Sequence, residues 1–322
     1  MLSLNSRQRR RHLRTAIASA AALLAAIGAV VSLTPHHAAA APATGSATTT
    51  HIMVVVLENS GYPATLGSCS ADPYLCSLAA QYASSTSWYA VSHPSLPNYL
   101  AMTTGSTQGC TTDKCKGPYA PSLAGQLITA GIPWVAWAES MPTTCALSNA
   151  GPYIKHHNPF VYESDANCPV NDLPYPGSSG AVSVLDGPSP PSFVWLTPND
   201  VNNMHGKRSV AAGDAWLQAN VGPILTSTWF TGGNATVIVT MDEYSSNNVN
   251  GGGQVPLVVI SANAQGKGPV ALAGNHYGLL GSIETAYGLP LLGAAALPGN
   301  GDLTPLFGSP PPPPPPTPTP TP

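Results

Sequence analysis

The chain has 322 residues, of which only 8% are charged, with 35 prolines, 31 glycines, six cysteines and a formal net charge of −3. Five of its 11 Lys+Arg (Arg7, Arg9, Arg10, Arg11 and Arg14) fall near the start, so the remainder sets 6 bases against 14 acids, a formal −8. That balance excludes a general nucleic-acid or anionic-membrane binder, which needs a basic footprint, and leaves room for an anionic substrate held at a metal.

In chain order, the basic run RQRRRHLR is followed by the apolar TAIASAAALLAAIGAVVSL and then by AAAAPA. This reads as a signal peptide over residues 1–41, with small residues suited to cleavage near Ala40 or Ala41. A retained membrane anchor is the alternative. The arginines resemble a twin-arginine signal, but His12 stands where a large apolar residue belongs, so export follows and its route, Sec or Tat, does not. An even count of cysteines (Cys69, Cys76, Cys110, Cys115, Cys145 and Cys168) in an exported chain argues for disulfides, and proximity favours 69–76, 110–115 and 145–168. A cysteine metal site is the alternative, weakened by the lack of any CxxC pair.

Between residues 48 and 308 runs one stretch without linker or repeat, the expected catalytic domain. Its apolar runs are HIMVVVL (51–57), IPWVAWA (132–138), SFVWLT (192–197), ATVIVTM (235–241) and VPLVVIS (255–261). They are continuous rather than alternating, as in strands covered on both faces. Helices are expected in DPYLCSLAAQYA, NYLAMTT, PSLAGQLITAG, GDAWLQANVGPILTS and HYGLLGSIETAYG. Strands interleaved with helices predict an α/β layered sandwich, a central mainly parallel β-sheet flanked by helices. SSTSWYA (84–90) reads as an aromatic loop. The terminal 309–322, ending PPPPPPTPTPTP, reads as a disordered spacer or wall-crossing stalk, with cell-wall association as its expected use.

Sites in such sheets gather at the carboxyl ends of strands. HIMVVVL runs into Glu58 and Asn59, ATVIVTM into Asp242 and Glu243, and SFVWLT into PNDVNNMH with Asp200, Asn203 and His205. Carboxylates crowded at one sheet edge repel one another unless a cation or shared protons compensate. Oxygen ligands point to a hard divalent ion, and His205 and His276 also admit zinc or iron. Ser95, in SHPSLPNYLAMTTG, lies between Pro94 and Pro97 at a helix start. A serine is a poor nucleophile unless a base or metal activates it, and backbone N–H groups at a helix start form an anion site. Metal, helix terminus and serine suit phosphoryl transfer, with the Asn98 amide donating to a phosphate oxygen.

These segments resemble a known family. HIMVVVLENSGY, SHPSLPNYLAMTTG, PNDVNNMHG, VIVTMDEYS and NHYGLLGSIETAYGLP occur in the order seen in the secreted bacterial phosphoesterase family, which is alkaline-phosphatase-like and includes metal-dependent acid phosphatases and phospholipases C. The resemblance covers about residues 50–295. It implies that Ser95 is the nucleophile, that Glu58, Asn59, Asp242 and Glu243 ligate a metal, and that His205 is a phosphate or second-site ligand. It also implies that YIKHHNPF supplies a leaving-group acid, with His157 preferred over His156, and that His276 matches a family histidine of less defined role. Many members carry Asp where Asn203 stands, which favours one metal over two. The short chain lacks the carboxy-terminal domains of the large phospholipases C, which favours a phosphatase acting on phosphorylated small molecules. A phospholipase C or other phosphodiesterase recognising a phospholipid headgroup is the runner-up. A non-catalytic surface-binding module on the Pro-rich stalk is the third reading.

Overall fold

The computed structural model describes residues 51–205 and 210–308; the expected signal peptide and the Pro/Thr-rich tail lie outside the described residues. Eight strands form one sheet: β1 (His51–Leu57), β2 (Ala83–Tyr89), β3 (Trp134–Ala138), β4 (Asp172–Pro174), β5 (Phe193–Thr197), β6 (Ala235–Met241), β7 (Leu257–Ser261) and β8 (Gly268–Asn275). Among the described residues, eight α-helices accompany them: α1 (Pro73–Gln81), α2 (Ser95–Thr104), α3 (Leu123–Thr129), α4 (Cys168–Asn171), α5 (Gly177–Leu185), α6 (Val210–Leu225), α7 (Thr228–Thr231) and α8 (His276–Tyr287). The strand order is β4-β3-β5-β1-β6-β7-β2-β8. Only β7 runs against its neighbours β6 and β2; all other pairs are parallel. The α/β layered architecture with a mainly parallel sheet is the one the apolar runs predict.

Burial explains why those runs are continuous. Every residue of β3, β5, β6 and β7 is buried, and in β1 only His51 is not. With helices on both faces there is no solvent side to make polar. The segment SSTSWYA is not a loop: it forms most of β2, with Ser84, Ser85 and Trp88 buried. Its serines are tolerated inside because each hydroxyl meets a backbone carbonyl, Ser84 Oγ donating to Ala79 O and Ser85 Oγ to Leu272 O. The aromatic loop expected over 84–90 is therefore a largely buried strand instead.

The three disulfides join Cys69–Cys76, Cys110–Cys115 and Cys145–Cys168, the pairing expected from proximity. Asp172 lies beside Cys145 and Cys168. Because those two sulfurs are bonded to each other, this is not a thiolate metal site. Three disulfides fit an oxidising compartment. Among the described residues no helix is long and apolar enough to cross a membrane.

All ten residues of α2 are buried. The helix ends at Gly105, whose φ is +68° and where an added Cβ would lie 2.1 Å from the carbonyl oxygen of Leu292. A side chain there combines left-handed strain with a backbone collision. Gly105→Ala is therefore expected to lower stability by about 2 kcal/mol or more in a denaturant titration. An unchanged midpoint would mean that α2 is not anchored at this point.

Candidate active site

Register brings the first carboxylates together. Leu57 pairs with Met241 in the β1–β6 ladder, so the residues that follow, Glu58 and Asp242, leave the sheet side by side. The Asp242 N–H donates to Leu57 O at 3.0 Å, and the Glu58 N–H donates to Asn203 O at 2.7 Å, which docks the PNDVNNMH loop behind them. Asn59 then turns with φ 47°, which lets its backbone N–H reach Asp242 Oδ1 at 2.9 Å and its side-chain amide reach Glu243 Oε1 at 2.7 Å.

Ser95 is the first residue of α2, and its hydroxyl donates to Glu58 Oε2 at 3.1 Å. One turn on, the Tyr99 hydroxyl donates to Glu58 Oε1 at 2.7 Å, and His157 Nε2 lies 3.2 Å from the same oxygen. Glu58, Asn59, Ser95, Asp242, Glu243 and His157 thus converge on one locus. Glu58 and Asp242 are fully buried and Glu243 nearly so. Burial, followed by the charge of Asp242, pushes Glu58 well above the usual carboxylate range. Burial and the charge of Glu243 push Asp242 up to about 7. Burial raises Glu243 as well.

These residues fit a divalent cation. Asp242 Oδ2 is buried with no hydrogen-bond partner, which is costly for a carboxylate unless a proton or a cation meets it. The other donors are carboxylate oxygens and the Asn59 amide, a hard oxygen set.

Other predicted residues have different tasks. Asn98 does not face a phosphate: Oδ1 accepts the N–H groups of Val91 and Ser92, and Nδ2 donates to Ser92 O and Pro94 O. All its capacity goes into stitching the loop before Ser95. His276 is fully buried, and its Nε2 donates to Asp242 O at 2.6 Å. Burial lowers it to about 4, so it is a neutral ring that braces the backbone of a carboxylate rather than a group facing substrate. His205 is exposed, and its backbone N–H is held by Asn203 Oδ1 at 2.9 Å. His157 is nearly buried, stacked on Tyr99 with centroids 5.8 Å apart. Burial, then the neighbouring His156 and His205, hold it well below its ordinary value. It is a neutral donor to Glu58, not a free acid. His156, edge-on to His157 with centroids 4.5 Å apart, is only partly covered, and burial lowers it less far than His157.

The sequence reading missed three contacts. Tyr99 follows Ser95 by four residues, one helical turn, so the pairing was available from spacing alone. His93, two residues before Ser95, joins Glu243 Oε2 through Nδ1 and Asn247 O through Nε2. Asp113 accepts the Leu96 N–H at 3.0 Å from a disulfide-closed loop, and nothing in the sequence signals that reach.

The model of the Phosphoesterase family matches residues 69–290. The chain belongs to that family. It is accordingly a phosphoesterase, a hydrolase of phosphoric ester bonds. It is 33% identical over 252 residues to a phosphatidylinositol-3-phosphatase of Mycobacterium tuberculosis, covering 76% of this chain and 79% of the relative. It is 30% identical over 254 residues to a phosphate-repressible acid phosphatase of Penicillium chrysogenum, covering 74% of this chain and 58% of that protein. The chain thus spans little more than half the length of the fungal relative. Among solved structures, a Vibrio parahaemolyticus protein in the alkaline phosphatase superfamily superposes with a TM-score of 0.55 at 14% identity, covering 75% of this chain and 67% of that one. The phosphonate monoester hydrolase SpPMH from Silicibacter pomeroyi gives 0.54 at 14%, covering 81% and 77%. These two likenesses support the alkaline-phosphatase-like fold.

The carboxylate cluster makes stability, and the binding of any cation there, pH-dependent. Asp242 titrates near 7 in the folded, metal-free protein, against an ordinary value of 3.8. Its protonation therefore favours the fold below the ordinary value, and that contribution is lost as pH rises towards about 7. A divalent cation bound there would take the place of that proton, so its affinity should rise through the same window with proton release. Calorimetry of metal-depleted phosphoesterase in buffers of different ionisation enthalpy measures this. Affinity that stays flat between about pH 5.5 and 8 would remove the cation from the cluster.

Proposed function

We propose that this protein is an exported, metal-dependent phosphomonoesterase that works through a phosphoserine at Ser95. The observation that carries the reading is the convergence of three buried carboxylates from adjacent strand ends on a serine at a helix start. The phosphatase names of the mycobacterial and fungal relatives support the reaction class. The substrate is a phosphorylated small molecule or the phosphomonoester of a lipid headgroup. Glu58, Asn59, Asp242 and Glu243 would hold one divalent cation. Bound there, it would neutralise charge on the phosphate oxygens and lower the pKa of the serine hydroxyl.

The chain's own residues supply the rest. The Ser95 hydroxyl gives its proton to Glu58 Oε2, which already accepts its hydrogen bond. Ser95 Oγ bonds to phosphorus as the phosphorus–oxygen bond to the leaving group breaks. His156 supplies the proton that the departing oxygen needs, because His157 is committed to Glu58. Water, giving a proton to the now unprotonated His156, then attacks the phosphoserine; orthophosphate leaves as Glu58 returns its proton to Ser95 Oγ, which restores all three residues. His93, Tyr99 and His276 position the carboxylates and do not touch substrate.

Ser95→Ala should reduce p-nitrophenyl phosphate hydrolysis by about 10³-fold or more, and exhaustive chelation should abolish it reversibly. Wild-type turnover by Ser95→Ala would overturn the nucleophile assignment. His156→Gln should slow alkyl phosphates by about 10²-fold while p-nitrophenyl phosphate, whose leaving group needs little protonation, slows far less. Equal losses on both substrates would remove His156 as the acid.

A further inference from the structure

Of the six cations remaining beyond the N-terminal segment, four lie among the described residues: Lys114, Lys116, Lys155 and Lys267. Lys267 precedes β8 at the far end of the sheet, beside Ala83 at the start of β2. The other three border α2. Lys114 lies in the loop closed by the Cys110–Cys115 disulfide, and Lys116 follows the bridge directly. Asp113 docks that loop on the first turn of α2 through the Leu96 N–H. Lys155 directly precedes His156 and His157, and its Nζ sits 4.2 Å from the centroid of the Tyr162 ring. Tyr162 packs with Leu96, Leu100 and Cys110, and Cys115 lies against them. Both lysine-bearing segments therefore share one wall beside Ser95.

Among the described residues, none of these three ammonium groups lies within ion-pair distance of a carboxylate. Lys114 and Lys116 are exposed, and Lys155 rests on an aromatic face that leaves its charge unneutralised. Two carboxylates, Asp113 and Asp200, also act on His156 nearby, but Asp113 spends Oδ1 on the helix amide. In a domain of formal −8, unpaired cations grouped on one wall raise the local concentration of anions there. The scissile phosphate would be met by the cation proposed for the carboxylate cluster. We propose that Lys114, Lys116 and Lys155 form a subsite for a second anionic group, so that the preferred substrate is a phosphomonoester that carries another phosphate. This rests on the reading of Ser95 as a phosphomonoesterase nucleophile.

The test compares fructose 6-phosphate, fructose 1,6-bisphosphate and phosphatidylcholine vesicles bearing phosphatidylinositol monophosphate. The proteins are the wild-type, the triple variant K114Q/K116Q/K155Q and the double variant K114Q/K116Q, which leaves the Tyr162 contact intact. The wild-type kcat/KM should favour the soluble bisphosphate over the monophosphate by about tenfold, through KM. That ratio should fall stepwise in the double and triple variants, and in 1 M salt, where screening acts within about 3 Å. A ratio near one in wild-type, or one untouched by the substitutions, overturns the proposal. A preference confined to vesicles and unaffected by the substitutions assigns it to a lipid surface and also overturns it. Calorimetric binding of the two sugar phosphates to the Ser95→Ala protein needs no turnover. It decides the subsite even if neither sugar phosphate is hydrolysed, an outcome that would count against the catalytic reading alone.

Discussion

The constraint on which the structure turns is the gathering of Glu58, Asp242 and Glu243 at the ends of two adjacent buried strands. Like charges so close in a low-dielectric interior cannot all ionise unaided. The Leu57–Met241 register makes the crowding unavoidable, because it fixes Glu58 beside Asp242 before any side chain has chosen a rotamer. Donors around the cluster cover part of the cost: Ser95 and Tyr99 on Glu58, the Asn59 backbone on Asp242, and the Asn59 amide on Glu243. None reaches Asp242 Oδ2. The cluster is thus built short of positive charge.

Much of the surrounding fold keeps that deficit in place. Helix α2 is buried along its whole length, so Ser95 and Tyr99 meet Glu58 as one rigid face. The loop ahead of it is closed by the four hydrogen bonds of Asn98 and by His93, which spans to Glu243 and Asn247. Backbone bonds between Ala90 and Gly252–Gly253 tie the same loop to the turn that follows Glu243. His276 braces the Asp242 carbonyl from α8. Rigidity near the serine comes from hydrogen bonds that converge on its flanks, more than from the two prolines.

How much of this is legible in sequence depends on the kind of residue. Five strands were readable because burial on both faces leaves an unbroken apolar run. Strand β2 was not, because serines can be buried when the backbone accepts their hydrogens, and β8 alternates in burial along GPVALAGN. Carboxylates at strand ends are conspicuous in a chain with so few charges, so Glu58, Asp242 and Glu243 stood out. Histidines carry no such signal. His157 and His276 look like catalytic imidazoles in sequence, and only three-dimensional placement shows that each has spent Nε2 on the protein itself. Asp113 was invisible because its contact depends on a loop closed by a disulfide.

That last contact changes how an anion can be held here. A helix start beside a serine reads as an open row of amides, yet the Leu96 N–H is already donated to Asp113. An incoming phosphate therefore finds one amide of the first turn already taken and a negative charge beside it. In the reading proposed above, attraction comes instead from a cation on the carboxylates and from the lysines on the wall by Tyr162. The disulfide of Cys110 and Cys115 closes the loop that carries Asp113 together with Lys114, on which Lys116 follows directly. One covalent staple thus fixes both the carboxylate that closes the helix terminus and cations that offset it. Charge at this mouth is set by a short loop, while the carboxylates it faces are set by strand register, so substrate preference can change without disturbing the sheet.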